Sequence, residues 1–277
     1  MRYPRRVRLA LLAAATLLLA GVALAVLPTV ERRFLYFPLR EPRAGAEMRA
    51  RALGLEPWVD DAGALLGWRV RHPSGAPRAR LVVLHGNAGS ALERTYFAEA
   101  FRDADPAWPL DVLLLEYPGY GPRPGEPTER ALVAAALEAV RAARREGSGP
   151  VWLAGESLGS AVAALAAAAA PGEVDGLILV TPLASVPSVA RRHYGPLPGW
   201  LFRDAYRADR ALPRYRGPVA FLVAGRDEVV FPDLGLALFH AQPAPKRLWV
   251  DARAGHNSVD WRPGLGRWRE MVGFLAR

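Results

Sequence analysis

The sequence predicts an α/β architecture, with a mostly parallel central sheet and helices on both faces. Three observations predict it. From Trp58 onward, short apolar runs, glycine-rich turns and helical stretches follow one another in rotation, the pattern that feeds a parallel sheet. The apolar runs are nearly continuous instead of alternating with polar residues, as strands covered on both faces are. The chain has 277 residues, of which 51% are hydrophobic and 23% charged, so one large domain can bury a substantial core.

Taken in order, residues 57–59 and 65–71 flank Asp60-Asp61-Ala62-Gly63 and read as a hairpin. Strands are expected over 80–84, 111–116, 151–154, 177–181, 219–224 and 247–250. Helices are expected over 91–102, 128–145, 157–170, 233–241 and 264–276. Ser90 with Glu93 supplies a capping box for the first of these. The alanine run 166–170 suits a helix that packs closely on a sheet. Residues 184–217 read as one long irregular stretch with four prolines, Pro187, Pro196, Pro198 and Pro213, and with His193, Tyr194, Trp200, Phe202 and Tyr206. A loop of that length in a compact domain is usually functional, and we read it as a small cap.

Ahead of this domain, residues 9–27 form an uncharged apolar run that only Thr16 and Gly21 mildly interrupt. As a helix this run rises about 28 Å, the thickness of a bilayer's hydrocarbon core. Pro28 ends it, because proline cannot donate into a continuing helix. Arg2, Arg5, Arg6 and Arg8 with Ala23-Leu24-Ala25 fit a signal peptide. The run's length and its continuation past that triplet fit a retained single-pass transmembrane anchor, which is the favoured reading. The division expected is therefore residues 1–30 as membrane anchor and 31–277 as the folded domain. Arg32, Arg33 and Arg40 follow closely, so the charge asymmetry is slight. It leans towards a cytoplasmic N-terminus and a domain on the exported, periplasmic or extracellular side. The cluster Phe34-Leu35-Tyr36-Phe37-Pro38 either sits at the headgroup level or packs on the domain.

Composition removes several function classes. Cysteine is absent, which excludes disulfide scaffolds, cysteine nucleophiles, thiolate zinc sites and iron–sulfur clusters. The net charge of +9 is carried almost wholly by arginine, Lys246 being the one lysine. No basic run with interleaved aromatics and no zinc-finger spacing accompanies it, so no nucleic-acid partner is indicated. There is no H-E-x-x-H, calcium loop or phosphate-loop lysine, and the prolines and glycine spacing of residues 119–125 do not fit a dinucleotide fingerprint. Neither a metal nor a cofactor is implied.

The motif that carries chemistry is Gly155-Glu156-Ser157-Leu158-Gly159, placed after a predicted strand and at the start of a predicted helix. That is G-x-S-x-G in the strand–turn–helix context that lifts a serine hydroxyl above a sheet. A serine needs a base to take its proton. His256, in Ala254-Gly255-His256-Asn257 after the last strand, is the candidate, with His193 in the cap as its rival. His85 is read as shaping a loop, His72 precedes a proline in the hairpin region, and His240 lies near a helix end. The base needs an acid to fix its tautomer. Asp227, just past the strand at 219–224, is the candidate, against Glu228 and Asp233 as ordinary loop and helix-start carboxylates. The order Ser157, Asp227, His256 is that of the α/β-hydrolase arrangement. An oxyanion is then expected between the N–H of Leu158 and one from the loop His85-Gly86-Asn87-Ala88-Gly89-Ser90, with Asn87 as first donor and Ala88 as the alternative.

These pieces resemble a known family. Phe34–Pro38, His85–Ser90, Tyr117-Pro118-Gly119-Tyr120-Gly121 with Pro127-Thr128-Glu129, Gly155–Ser160, Gly225–Val230 and Gly255-His256-Asn257 are similar, in order and over almost the whole chain, to membrane-anchored α/β-hydrolases of the Bem46 type. They are also close to the domain-13 and domain-17 hydrolases of animals. The resemblance implies the α/β-hydrolase fold and Ser157, Asp227 and His256 as a triad. Glu116, before Tyr117, stands where relatives often carry aspartate. Relatives include protein depalmitoylases and peptidase-like proteins, so the resemblance leaves the substrate open. The expectation is a serine hydrolase that cleaves a carboxylic ester or thioester of a lipid-like acyl group without a cofactor. A serine peptidase of the same fold, or a noncatalytic membrane-tethered binding protein, is the alternative.

Overall fold

The computed structural model describes residues 31–70, 77–243 and 245–277. The apolar run at 9–27, with its anchor and signal readings, and His72 lie outside those residues. No helix among the described residues is long and apolar enough to cross a membrane.

A helical stem over residues 31–35 leads into β1 (Phe37–Pro38), α1 (Arg43–Ala52), β2 (Glu56–Val59), β3 (Leu65–Val70), β4 (Ala79–Leu84) and β5 (Ala88–Gly89). A 3-10 turn (Ala91–Arg94) then runs into α2 (Thr95–Phe101), followed by β6 (Leu110–Leu115), α3 (Glu129–Arg145), β7 (Val151–Glu156), α4 (Leu158–Ala169) and β8 (Gly176–Val180). Next come α5 (Val186–Tyr194), α6 (Ala208–Ala211), β9 (Val219–Ala224), α7 (Pro232–Ala241), β10 (Lys246–Asp251) and α8 (Gly266–Leu275).

Eight strands form one sheet in the order β10-β9-β8-β7-β4-β6-β3-β2. From β10 to β6 all neighbours are parallel. The hairpin β2–β3 joins antiparallel at the other end. Successive side chains of a strand point to opposite faces, so each strand feeds two cores. Val82 and Leu84 of β4 pack with the alanines of α3 and α4. Leu81 and Val83 pack with Phe97 and Phe101 of α2 and with Trp268 and Met271 of α8. This is the α/β-hydrolase fold that the pattern predicts, and the strand ends agree to within a residue or two.

The departures have physical causes. The stretch 184–217 is not irregular throughout. It contains α5, α6 and the 3-10 turns Gly199–Leu201 and Leu212–Arg214. Two of the prolines taken as loop markers occupy first turns of helices, where a missing N–H costs nothing. Ser185 caps α5 by accepting the N–H of Ser188 at 3.2 Å. The last helix starts at Gly266 because Gly264 holds a left-handed φ of 80°. Helix α1 was not anticipated, since its buried face consists only of Ala46 and Ala50.

Candidate active site

Ser157 is the residue between β7 and α4. Its backbone lies at φ 54° and ψ −119°, a region that costs energy for any residue with a Cβ. The sheet holds it there. The Ser157 N–H donates to the Val180 carbonyl at 3.0 Å. The Ser160 hydroxyl donates to the Ser157 carbonyl at 2.6 Å and accepts the Leu183 N–H at 2.9 Å. The flanking glycines are required by close approach. A Cβ on Gly159 would run into the Leu84 carbonyl oxygen, and one on Gly155 into the Gly159 carbonyl.

Because β7, β9 and β10 are parallel, the loops leaving them meet at one sheet edge. There the Ser157 Oγ lies 2.9 Å from His256 Nε2, and His256 Nδ1 lies 2.8 Å from Asp227 Oδ2. The other Asp227 oxygen accepts the N–H groups of Val229 and Val230, both at 2.9 Å. Burial pushes the Asp227 carboxyl up, but the hydrogen bonds from His256, Val230 and Val229 outweigh it and hold the group below the usual carboxylate range. An ionised carboxylate only accepts, so Nδ1 carries the imidazole proton and Nε2 is left to accept the serine's.

The competing residues are not joined to Ser157, although His193 lines the same cavity. His193 places Nε2 3.0 Å from the Val229 carbonyl and stacks obliquely on Phe231. Glu228 and Asp233 are exposed. His85 is buried, with Nδ1 2.8 Å from the Gly86 carbonyl and its ring against Tyr117.

The loop after β4 borders the serine, since a Cβ on Gly86 would sit 3.8 Å from the Ser157 Cβ. His85 Nδ1 orients the Gly86–Asn87 peptide, whose N–H points opposite to its carbonyl. The Asn87 carbonyl accepts the Phe37 N–H at 2.9 Å and the Tyr120 hydroxyl at 2.7 Å, and its amide donates to the Leu35 carbonyl at 2.9 Å. The Leu158 N–H is the first of α4 and has no intrahelical acceptor. Glu116 is fully buried and accepts the Ala91 N–H at 3.1 Å and the Trp68 indole at 3.3 Å. Its extra methylene is accommodated by Gly121, where a Cβ would strike the carboxylate.

Ser157 and His256 open into a cavity of about 640 Å³. The cap contributes Val186, Val189, Leu197 and Phe202 to its wall, and the stem contributes Phe34 and Leu35. Sequence reasoning missed two parts of it. Glu156, the variable residue of the motif, accepts the Tyr96 hydroxyl at 2.7 Å and pairs with Arg94 at 3.3 Å. The stem is a wall of the cavity, and its only sequence signal was the aromatic cluster at 34–38. Among the described residues no cluster of His, Asp and Glu is placed to hold a metal ion.

The model of the α/β hydrolase fold family matches residues 79–213. An uncharacterised protein of Mycobacterium tuberculosis is 34% identical over 257 residues, covering 89% of this chain and 86% of its own length. Bem46 of Schizosaccharomyces pombe is 28% identical over 73% of this chain and 70% of its own. Among solved structures, a monoacylglycerol lipase of Paleococcus ferrophilus superposes with a TM-score of 0.54 at 20% identity, over 75% of this chain and 97% of its own. That last likeness shows the fold alone.

Proposed function

The chain belongs to the α/β-hydrolase family, among its Bem46-like members, and from that premise we propose that it is a serine hydrolase of carboxylic esters or thioesters with an apolar acyl group. The observation that carries this reading is the unbroken chain Ser157–His256–Asp227 at the base of an apolar cavity.

Ser157 Oγ attacks the acyl carbon while His256 Nε2 takes its proton. The carbonyl electron pair moves to oxygen, and the N–H groups of Asn87 and Leu158 hold the resulting oxyanion. Collapse breaks the bond to the alcohol or thiol, which leaves with the proton from His256. Water, deprotonated by His256, then releases the acid and restores Ser157. Asp227 stabilises the imidazolium in both halves of the cycle. The run at 9–27 supports a single-pass anchor, and the arginine asymmetry around it supports a domain on the exported side.

The test compares p-nitrophenyl esters of graded acyl length with matched peptide anilides. Hydrolysis of the esters, lost in Ser157→Ala, is the expected result. Faster cleavage of the anilides would instead establish a peptidase, and no turnover of either by folded protein would favour a binding protein.

A further inference from the structure

Among the described residues nothing covers the apolar rim of the cavity. Phe34 and Tyr194 are each 79% exposed and Val229 is 44% exposed, and all three border the cavity. Large apolar groups gathered at one rim mark an interaction surface. The charges beside them are mostly positive. Arg33 precedes Phe34, and Arg191 and Arg192, both exposed, occupy the last turn of α5 with Tyr194. Arg191 lies three residues before Tyr194, which puts the two on neighbouring positions of the helix surface. The Arg192 guanidinium stands 5.2 Å from the Phe231 ring. The exposed acid flanking this group is Glu228, next to Val229.

The stem is fastened to this rim. The Glu31 carboxylate accepts the N–H groups of Arg203 at 3.0 Å and Asp204 at 3.1 Å. Arg32 lies 3.5 Å from Asp204, and the hydroxyls of Tyr36 and Tyr206 are 2.8 Å apart. Glu31 itself borders the cavity. Leu27, the last residue of the apolar run, is four residues earlier. A chain of that length spans at most about 14 Å. A run that enters a bilayer therefore holds Glu31, at the edge of the cavity, within about 14 Å of the end of that run, which brings the aromatic and arginine side chains of the rim towards the interfacial layer where such residues anchor.

We propose that the cavity mouth docks on an anionic lipid surface, so that the acyl ester passes from the bilayer into the site without crossing water. The proposal rests on the acyl-hydrolase reading for the nature of the cargo, and on the rim alone for the docking.

The absence of cysteine makes the test clean. In the full chain, Tyr194→Cys carries one environment-sensitive fluorophore, and Val229→Cys serves as a second rim position. Ala107→Cys is the control, because residue 107 is exposed just before β6, at the opposite end of the parallel strands from Ser157. The proteins are reconstituted in phosphatidylcholine vesicles containing nitroxide lipids, with and without phosphatidylglycerol. The rim labels are expected to be quenched several-fold more than the control, more strongly with phosphatidylglycerol, and less so at high salt or with Arg191→Gln and Arg192→Gln together. Equal quenching at rim and control positions, or quenching indifferent to phosphatidylglycerol, overturns the proposal. Fluorophosphonate labelling of the unsubstituted protein in the same vesicles reports Ser157 separately. A labelled serine beside unquenched rim positions refutes the docking alone, and quenched rim positions beside an unlabelled serine refute the hydrolase reading alone.

Discussion

Two regions face each other across the cavity and are built in opposite ways. Ser157 is held by backbone contacts, its strained conformation fixed by sheet hydrogen bonds and by glycines on either side. The stem and cap are held by side chains from distant parts of the chain. Glu31 binds residues 203 and 204, Tyr36 meets Tyr206, and Glu129 accepts the Tyr206 N–H at 2.7 Å. The contrast is that Ser157 sits on a turn set by its own motif, and the sheet carries His256 and Asp227 to it on loops that lie 99 and 70 residues further along the chain. The apolar groups that line the cavity sit on a wall assembled from tertiary contacts.

The largest expected effects fall on the first region. Asp227→Asn should lower kcat for a short ester by about 10⁴-fold while leaving the fold intact, since it removes the acceptor that fixes the His256 tautomer. Steady-state kinetics with circular dichroism checks this, and a loss under tenfold would mean that Asp227 does not orient the base. Gly159→Ala should cost about 1–3 kcal/mol in denaturant unfolding, because its Cβ has no room beside the Leu84 carbonyl.

Substitutions in the wall should change selection more than rate. Leu35→Trp fills part of the cavity and should shift preference from long to short acyl esters by about tenfold in relative kcat/KM. An unchanged chain-length profile would remove the stem from the acyl site.

Much of the first region was legible in the sequence. A five-residue motif after an apolar run requires only local geometry, so Ser157 was placed by its context. His256 and Asp227 were found from their positions past strand ends. The parallel sheet then brought three loops, far apart in sequence, to one edge. The wall was legible only in part: a cap over 184–217 and packing of residues 34–38 were among the readings, but nothing local tells Glu31 that its partners lie about 170 residues away. Prolines at 187 and 213 resembled breaks, although both begin helical turns. Helix α1 escaped notice because alanine carries too little apolar contrast to reveal a buried face.

The smallest effects are those of pH on the buried Asp227 and the half-buried Glu129, and their signs differ. Asp227 is held below its ordinary value, so its stabilisation is complete above about pH 4 and is lost as pH falls through the folded-state pKa. Glu129 is raised, chiefly by burial and further by Asp204 and Glu31, although the Tyr206 N–H opposes this. Its ionised form therefore weakens the fold above that raised pKa, and the penalty is relieved as pH falls through it. Glu129→Gln keeps an acceptor for Tyr206 and should raise stability at pH 7 by no more than about 1 kcal/mol, solvent screening being substantial, with the gain shrinking towards pH 4. Thermal melts of the two proteins across that range measure it. A gain that grows on acidification would contradict the assignment.

The proposed mechanism requires Ser157 to be an activated nucleophile facing the apolar cavity. Fluorophosphonate labelling of the wild type and of Ser157→Ala, followed by peptide mass mapping, tests it most directly. A single adduct on Ser157 in the wild type and none in the variant is the expected result. An adduct on another serine, or equal labelling of both proteins, would contradict it.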